Sequence, residues 1–403
     1  MSGSEIGNRV RAYRERRGLS VRVCAELAGL SKSFLSDIEN GRRRLERRSH
    51  ISALAEVLRV SVNELIGQQF PPDDPTSSAA HAAVADVRLA LVSSGLDVAE
   101  HVSPRSLDEL ERLTRRTLDL RQACEYQEVG KLLPDLIRDL HAIAGAGGPD
   151  SQRALRLIVL VAQVAVLWLK NLNAADLAWI AADRGRQAAL RVEDPLWSAV
   201  AAFSVAQGLL SLGANTGAAQ IAEAASDTVP RGTKEGLQVY GMQCLTAAFS
   251  AVASGRRQDA DAPLAEARQV ADRTGECNAF WLAFGPVNVD LWNVSIAVEA
   301  GEAGRAIEIG NRIDPRQIPV RSRRSSYYVD LGRALAQTRH RDDALRALLE
   351  AESLAPVRVR NNPFAREIVS DLLRRAQMSA GGVELRGMAH RMGVRNQPSQ
   401  RRP

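Results

Sequence analysis

Apolar residues recur three and four positions apart along almost all of this 403-residue chain and almost nowhere alternate, so the pattern predicts helices throughout and an all-α fold. Over the first seventy residues the periodic segments are short and punctuated by Gly18, Gly29 and Gly41, which places helices at 5–17, 20–28, 31–40, 49–59 and 61–67. The run Pro71-Pro72-Asp73-Asp74-Pro75-Thr76-Ser77-Ser78 then withdraws helix formers and apolar anchors together, and a linker is expected over 71–100. Longer helices follow in pairs over 101–380: 105–124 with 126–144, 151–171 with 174–192, 195–212 with 216–228, 234–254 with 257–274, 286–300 with 303–312, and 323–337 with 342–354. Pairs that restart at intervals of roughly forty to fifty residues have the grammar of a helical solenoid. A helix at 363–377 is expected to cap its open end, and 381–403 reads as a frayed basic tail with one short helix near 385–390.

Within the first domain, 1–70, the helix at 31–40 has two unlike faces. Phe34, Leu35 and Ile38 share one side, while Lys32, Ser33, Ser36, Asp37 and Asn40 fall mostly on the other. One side packs and the other is left to read. Leu19, Cys24, Ala28, Leu30, Leu35, Ile38, Leu54, Leu58 and Leu65 are the expected core, and Glu39 is expected to pair with Arg14. Charge sharpens the picture, because the first seventy residues carry 13 Lys and Arg against 8 Asp and Glu, five of the chain's six net positive charges. A basic excess confined to one small domain is the footprint of a phosphate-binding module.

Chemistry beyond binding finds little support. Cys24, Cys124, Cys244 and Cys277 are far apart with no C-x-x-C spacing, so neither a disulfide framework nor a metal site is expected, and buried thiols in a reducing cytoplasm fit better. The six histidines form no ligand pair. Gly145-Ala146-Gly147-Gly148 lacks the Lys of a phosphate loop, and no nucleophile elbow appears. No enzyme and no cofactor is expected. The most apolar run, 157–169, is interrupted by Gln163 and reads as a buried helix too short to span a bilayer, so no membrane partner is expected.

Residues 6–67 resemble the XRE, or phage-repressor, type of helix-turn-helix domain. The likeness lies in Arg14, Gly18-Leu19-Ser20, Ala25, Gly29-Leu30-Ser31, Leu35-Ser36-Asp37-Ile38-Glu39-Asn40-Gly41, and Leu54-Ala55-Glu56-Val57-Leu58 followed by Val60 and Leu65. The resemblance implies that helix 31–40 enters the major groove of double-stranded DNA. Lys32, Ser33 and Asp37, with Ser31 and Ser36 beside them, become candidates for base contact. Arg22, Asn40, Arg42, Arg43 and Arg44 become candidates for phosphate contact. Val21 stands where the family commonly has Gln, and the loop 42–48 lacks the Pro often found there, which leaves the start of the fourth helix open between Arg47 and Ile51.

Residues 100–390 are similar to the tetratricopeptide-like C-terminal region of actinobacterial XRE regulators, most clearly through Asn361-Asn362-Pro363-Phe364-Ala365-Arg366-Glu367 and Leu385-Arg386-Gly387. The layout also resembles peptide-sensing regulators of Gram-positive bacteria. The resemblance implies a cytoplasmic transcriptional regulator whose α-solenoid forms a homodimer, senses a peptide or small-molecule effector, or both. Tyr240, Gln243, Asn288, Asn293 and Tyr327 are candidates for the ligand-facing surface, or else for ordinary packing. The basic cluster Arg321, Arg323 and Arg324 suits an acidic ligand or a solvated helix start. An alternative from another class is an interaction scaffold whose repeats bind a protein partner while the first domain localises it to DNA.

Overall fold

A computed structural model describes residues 5–67, 75–94, 105–376 and 382–394. The first domain, the head, is built of α1 (Glu5–Arg16), α2 (Val21–Leu27), α3 (Lys32–Glu39), α4 (Arg48–Leu58) and α5 (Val62–Ile66). Serine hydroxyls start three of the five: Ser20, Ser31 and Ser61 accept from the backbone N–H of Val23, Phe34 and Glu64, and Glu64 completes a capping box. Gly41 follows α3 at φ 69°, a left-handed conformation that turns the chain sharply after the helix. Ile6, Val10, Cys24, Leu35, Ile38, Leu54, Leu58 and Leu65 meet in one core, while Leu19 and Leu30 close its edge half-buried.

Sixteen more helices follow among the described residues. They are α6 (Pro75–Ser93), α7 (Leu107–Gln122), α8 (Tyr126–Ala146), α9 (Ser151–Asn171), α10 (Ala175–Val192), α11 (Pro195–Leu212), α12 (Asn215–Thr228), α13 (Lys234–Ala253) and α14 (Asp261–Thr274), then α15 (Pro286–Ala300), α16 (Ala303–Gly310), α17 (Arg321–Gln337), α18 (Arg341–Leu354), α19 (Pro356–Arg360), α20 (Pro363–Ala376) and α21 (Val383–Arg391). Each helix from α7 to α18 packs on its neighbours in sequence. The alternate helices α7, α9, α11, α13, α15 and α17 also pack on one another, which makes them the inner layer of a solenoid. Small residues set the spacing: a Cβ at Gly185 on α10 would stand 2.7 Å from that of Ala162 on α9. The array turns far enough that α17 touches α7 and α19 touches α6, so its two ends meet.

Three expectations need correction. Much of the presumed linker is α6, whose Ala80, Val87 and Leu91 are buried against the repeats; the stripe 80, 84, 87, 91 is helical, and Pro75 is the first residue of the helix, a position that proline suits. The rest of 71–100 lies outside the described residues. The C-terminal stretch is not wholly frayed: Leu385, Met388 and Met392 are buried, and Arg391 grips Glu352 at 2.6 and 2.9 Å. Finally, α9 extends beyond its apolar run to 21 residues, long and apolar enough to cross a bilayer by composition alone, yet 78% of its apolar window is buried in the stack.

The segment between α14 and α15 has no counterpart in the sequence reading. Phe280, Trp281 and Ala283 all adopt left-handed φ, of 51°, 54° and 55°, a costly run for residues with side chains. It is held from across the solenoid. Gln122 and Asn278 exchange side-chain hydrogen bonds at 2.9 Å, Trp281 Nε1 donates to Asp119 at 2.6 Å, and Gln163 donates to the Phe280 carbonyl at 3.0 Å.

Candidate DNA interface and the cavity beneath the head

The orientation of α3 follows from one buried ion pair. Arg14 on α1 donates through Nε and Nη2 to the two carboxylate oxygens of Glu39 at 2.6 and 2.8 Å, and through Nη1 to the Leu19 carbonyl at 2.8 Å. The hydrogen bond to Glu39 holds the guanidinium pKa above its ordinary value despite burial. With Glu39, Leu35 and Ile38 fixed inward, the first turn of α3 leaves Ser31, Lys32 and Ser33 exposed. Ser36, Asp37 and Asn40 are half-buried.

The other candidates divide by surroundings. Arg42 and Arg43 are exposed, Arg42 lying 3.7 Å from Asp37 and Arg43 placing its guanidinium 4.9 Å from the centre of the Phe34 ring. Phe34 also meets His50 edge-on, with ring centres 5.2 Å apart. Arg22 is exposed, 3.6 Å from Glu26. Asn40 accepts from Arg11 at 3.1 Å and donates to the Ser36 carbonyl at 2.8 Å, so much of its amide is spent within the head. Arg44 does not join a phosphate-facing group. It is turned inward, 11% exposed, to bond Asp371 of α20 at 2.9 Å and Glu46 at 2.6 Å, because two carboxylates compensate its charge there.

Arg44 belongs to the seam by which the head sits on one rim of the solenoid. Helix α4, which starts at Arg48, has no side-chain cap of its own. The Arg48 backbone N–H donates at 3.1 Å to Glu299 of α15, and the Arg48 guanidinium pairs with the same carboxylate. Arg333 of α17 pairs with Glu299 at 2.7 Å and donates to the Glu46 carbonyl at 2.9 Å. Burial alone would raise the Glu299 pKa, but Arg48 and Arg333 outweigh it and hold the carboxyl below its ordinary value. Phe364 of α20 completes the head's core, and Glu367 accepts from the Ile6 backbone at 3.1 Å.

Between head and solenoid lies a cavity of about 260 Å³. Ser52, Val62 and Asn63 wall it from the head; Lys170, Asn288, Trp292, Arg323 and Arg358 wall it from the repeats. Burial, reinforced by Arg48, Arg358 and Arg323, pushes the Lys170 pKa down to about 7, and burial beside Arg121 and Arg358 pushes Arg323 down to about 9. Of the five ligand-facing candidates, Asn288 and Tyr327 line this cavity, and the Tyr327 hydroxyl is spent on the Gly310 carbonyl at 3.1 Å. The other three do not. Gln243 is fully buried and donates to the Ala199 carbonyl at 2.7 Å, Tyr240 lies 3.8 Å under the Arg231 guanidinium, and Asn293 is absent from the lining. Amide and aromatic content on a first helix marks packing as readily as lining, which is why spacing did not separate them.

Sequence reasoning passed over Lys170, Glu299 and Arg358. The available signal was a charged side chain at the end of an apolar run, as at Lys170 after Leu169. Among the described residues no group of three or more His, Cys, Asp or Glu side chains is placed to hold a metal ion.

Residues 5–65 match the family described as a helix-turn-helix domain. The uncharacterized HTH-type transcriptional regulator RghRB of Bacillus subtilis (strain 168) is 29% identical over 121 residues, covering 29% of this chain and 85% of that protein. The HTH-type transcriptional regulator SinR of Bacillus licheniformis is 36% identical over 64 residues, 16% of this chain and 58% of SinR; SinR of Bacillus subtilis (strain 168) gives the same figures. The chain thus spans little more than half the length of SinR. Its N-terminal domain is an XRE-type helix-turn-helix domain. The crystal structure of ComR from Streptococcus suis aligns over 94% of this chain and 96% of that one, at 13% identity and a TM-score of 0.26, a superposition too loose to bear on fold or function.

Proposed function

We propose that this chain is a cytoplasmic, sequence-specific DNA-binding transcriptional regulator that reads the major groove with α3 and responds to a ligand held between head and repeats. The observation that carries the DNA reading is the exposed first turn of α3, Ser31, Lys32 and Ser33, on a helix locked by Arg14 and Glu39 and flanked by the exposed Arg42 and Arg43. The same segment lies within the residues that match the helix-turn-helix family. Lys32 suits a guanine edge and Asp37 a cytosine amino group. The head docks through α4, the 44–48 loop and the start of α1, so its seam with the solenoid is not built from the first turn of α3.

The ligand reading draws on the cavity, which both domains wall, so a ligand that prefers one position of the head over another would shift how the head is held. Homodimerisation through the helical domain would place two heads on half-sites about one helical turn apart. The test is selection from a random duplex library by the intact chain. An enriched motif whose preference weakens in Lys32→Ala supports the reading; recovery of no motif opposes it.

A further inference from the structure

The cavity wall on the repeat side is predominantly basic: among the described residues, Lys170, Arg323, Arg333 and Arg358 face the single acid Asp330. Arg48 and Arg333 are answered by Glu299 and Asp330, whereas Lys170, Arg323 and Arg358 have no ion-pair partner among the described residues. Lys170 Nζ donates to the Gln207 side chain at 2.5 Å, Arg323 to the Leu282 carbonyl at 3.1 Å, and Arg358 to the Ser322 carbonyl at 2.7 Å; all three acceptors are neutral. Glu276 lines a neighbouring cavity that Arg323 also borders, and it accepts from the Val287 N–H at 2.8 Å. Three half-buried cations answered by no anion are unfavourable in the chain by itself, since nothing offsets their partial desolvation.

A second observation points the same way. Asn288 is 3% exposed, lines the cavity, and has no hydrogen-bond partner for either atom of its amide. The indole N–H of Trp292, one turn further along α15, is likewise buried without a partner. Buried polar groups left unpaired are costly, so donors kept there suit an acceptor supplied from outside the chain. Trp292, Phe249 and Phe364 add aromatic walls, and Arg323 lies over the Trp292 ring at 5.8 Å. The volume falls below the roughly 300–1,000 Å³ of sites for drug-sized ligands, which selects a compact molecule.

We propose that this cavity binds a compact organic anion, a carboxylate or phosphate carried on an aromatic or apolar body. Lys170, Arg323 and Arg358 supply the counter-charge, the Asn288 amide and the Trp292 N–H bond its oxygens, and the aromatic walls take its body. The proposal rests on the repeat domain being the sensor but not on the head's binding of DNA, which is measured separately.

Thermal unfolding of the intact chain is followed with naphthoate and naphthyl phosphate against the neutral naphthamide and naphthol, at ionic strength matched with KCl. A saturable rise in Tm with at least one anion and with neither neutral analogue is the expected result. Whichever anion acts tells carboxylate from phosphate. Lys170→Met is expected to weaken anion binding about tenfold or more. Arg323→Gln is the second variant and is expected to weaken it similarly. Equal shifts from anion and neutral analogue, no shift beyond KCl, or undiminished anion binding in both variants overturns the proposal. Duplex binding by the parent chain is measured separately without any probe, so failure of the anion site and failure of the DNA reading are distinguished.

Discussion

Glu299, near the end of α15, accepts the backbone N–H of Arg48 at 3.1 Å and is 1% exposed, so a carboxylate of the repeat domain caps the fourth helix of the head. It satisfies a donor that α4 cannot satisfy for itself, places negative charge at the positive end of that helix, and ties Arg48 and Arg333 together.

Removal of that carboxylate should therefore be felt in both domains. Glu299→Ala leaves two arginines facing each other in the seam and is expected to cost about 3–5 kcal/mol, the range for breaking a buried pair. Chemical denaturation checks the magnitude, and limited proteolysis checks that the head is released. Unchanged stability would remove the seam from the account.

The arginines behind α3 separate into two kinds. Arg43→Ala is expected to weaken binding to every duplex and to flatten the salt dependence by about one unit of slope. Arg44→Ala is expected to leave that slope alone and to loosen the head instead, since Arg44 is held by Asp371 and Glu46. The same slope change in both would show that Arg44 leaves its carboxylates for phosphate.

Lys32→Ala is expected to reduce discrimination between the selected site and random DNA by about 1–3 kcal/mol while sparing the fold, because Lys32 is exposed. Parallel titrations against the two duplexes measure it. An equal loss on both reassigns Lys32 to the phosphates.

Acid should unfold the chain through its buried imidazoles. Burial, then Arg47 and Arg43, pushes His50 down to about 4, and burial pushes His141 down to about 4. Above pH 6.5 both are neutral whether the chain is folded or not, and their contribution is intact. Between about 6.5 and 4 the unfolded chain takes up protons that the folded chain refuses, so stability falls as pH falls, and below 4 the loss is complete. Tm measured across this window should drop, and His50→Gln should shallow the drop.

Most of the architecture was legible because it rests on local rules. Gly18, Gly29 and Gly41 divided the head, Ser20, Ser31 and Ser61 opened its helices, and the periodicity from 151 to 354 placed the repeat helices closely. Arg14 with Glu39 was likewise readable, from an ion pair expected between an outer helix and an acidic residue among apolar neighbours. The cavity was not. Lys170, Arg323 and Arg358 stand on separate helices and line one cavity only because the solenoid curls until α17 and α19 reach α7 and α6, a consequence of many small inter-helix rotations that no single segment encodes. Pro75, Ser77 and Ser78 misled in the opposite sense, since they form the first turn of α6, where Pro is compatible with a helix start.

The central claim, that the head reads duplex DNA with α3, is tested most directly by the salt dependence of its binding. Fluorescence anisotropy of the intact chain on a labelled duplex, repeated over a salt series, should give log K falling linearly with log salt. If Arg22, Arg42 and Arg43 all reach phosphates, the slope should approach about −3 per head. A flat line, or no measurable affinity for any duplex at low salt, contradicts it.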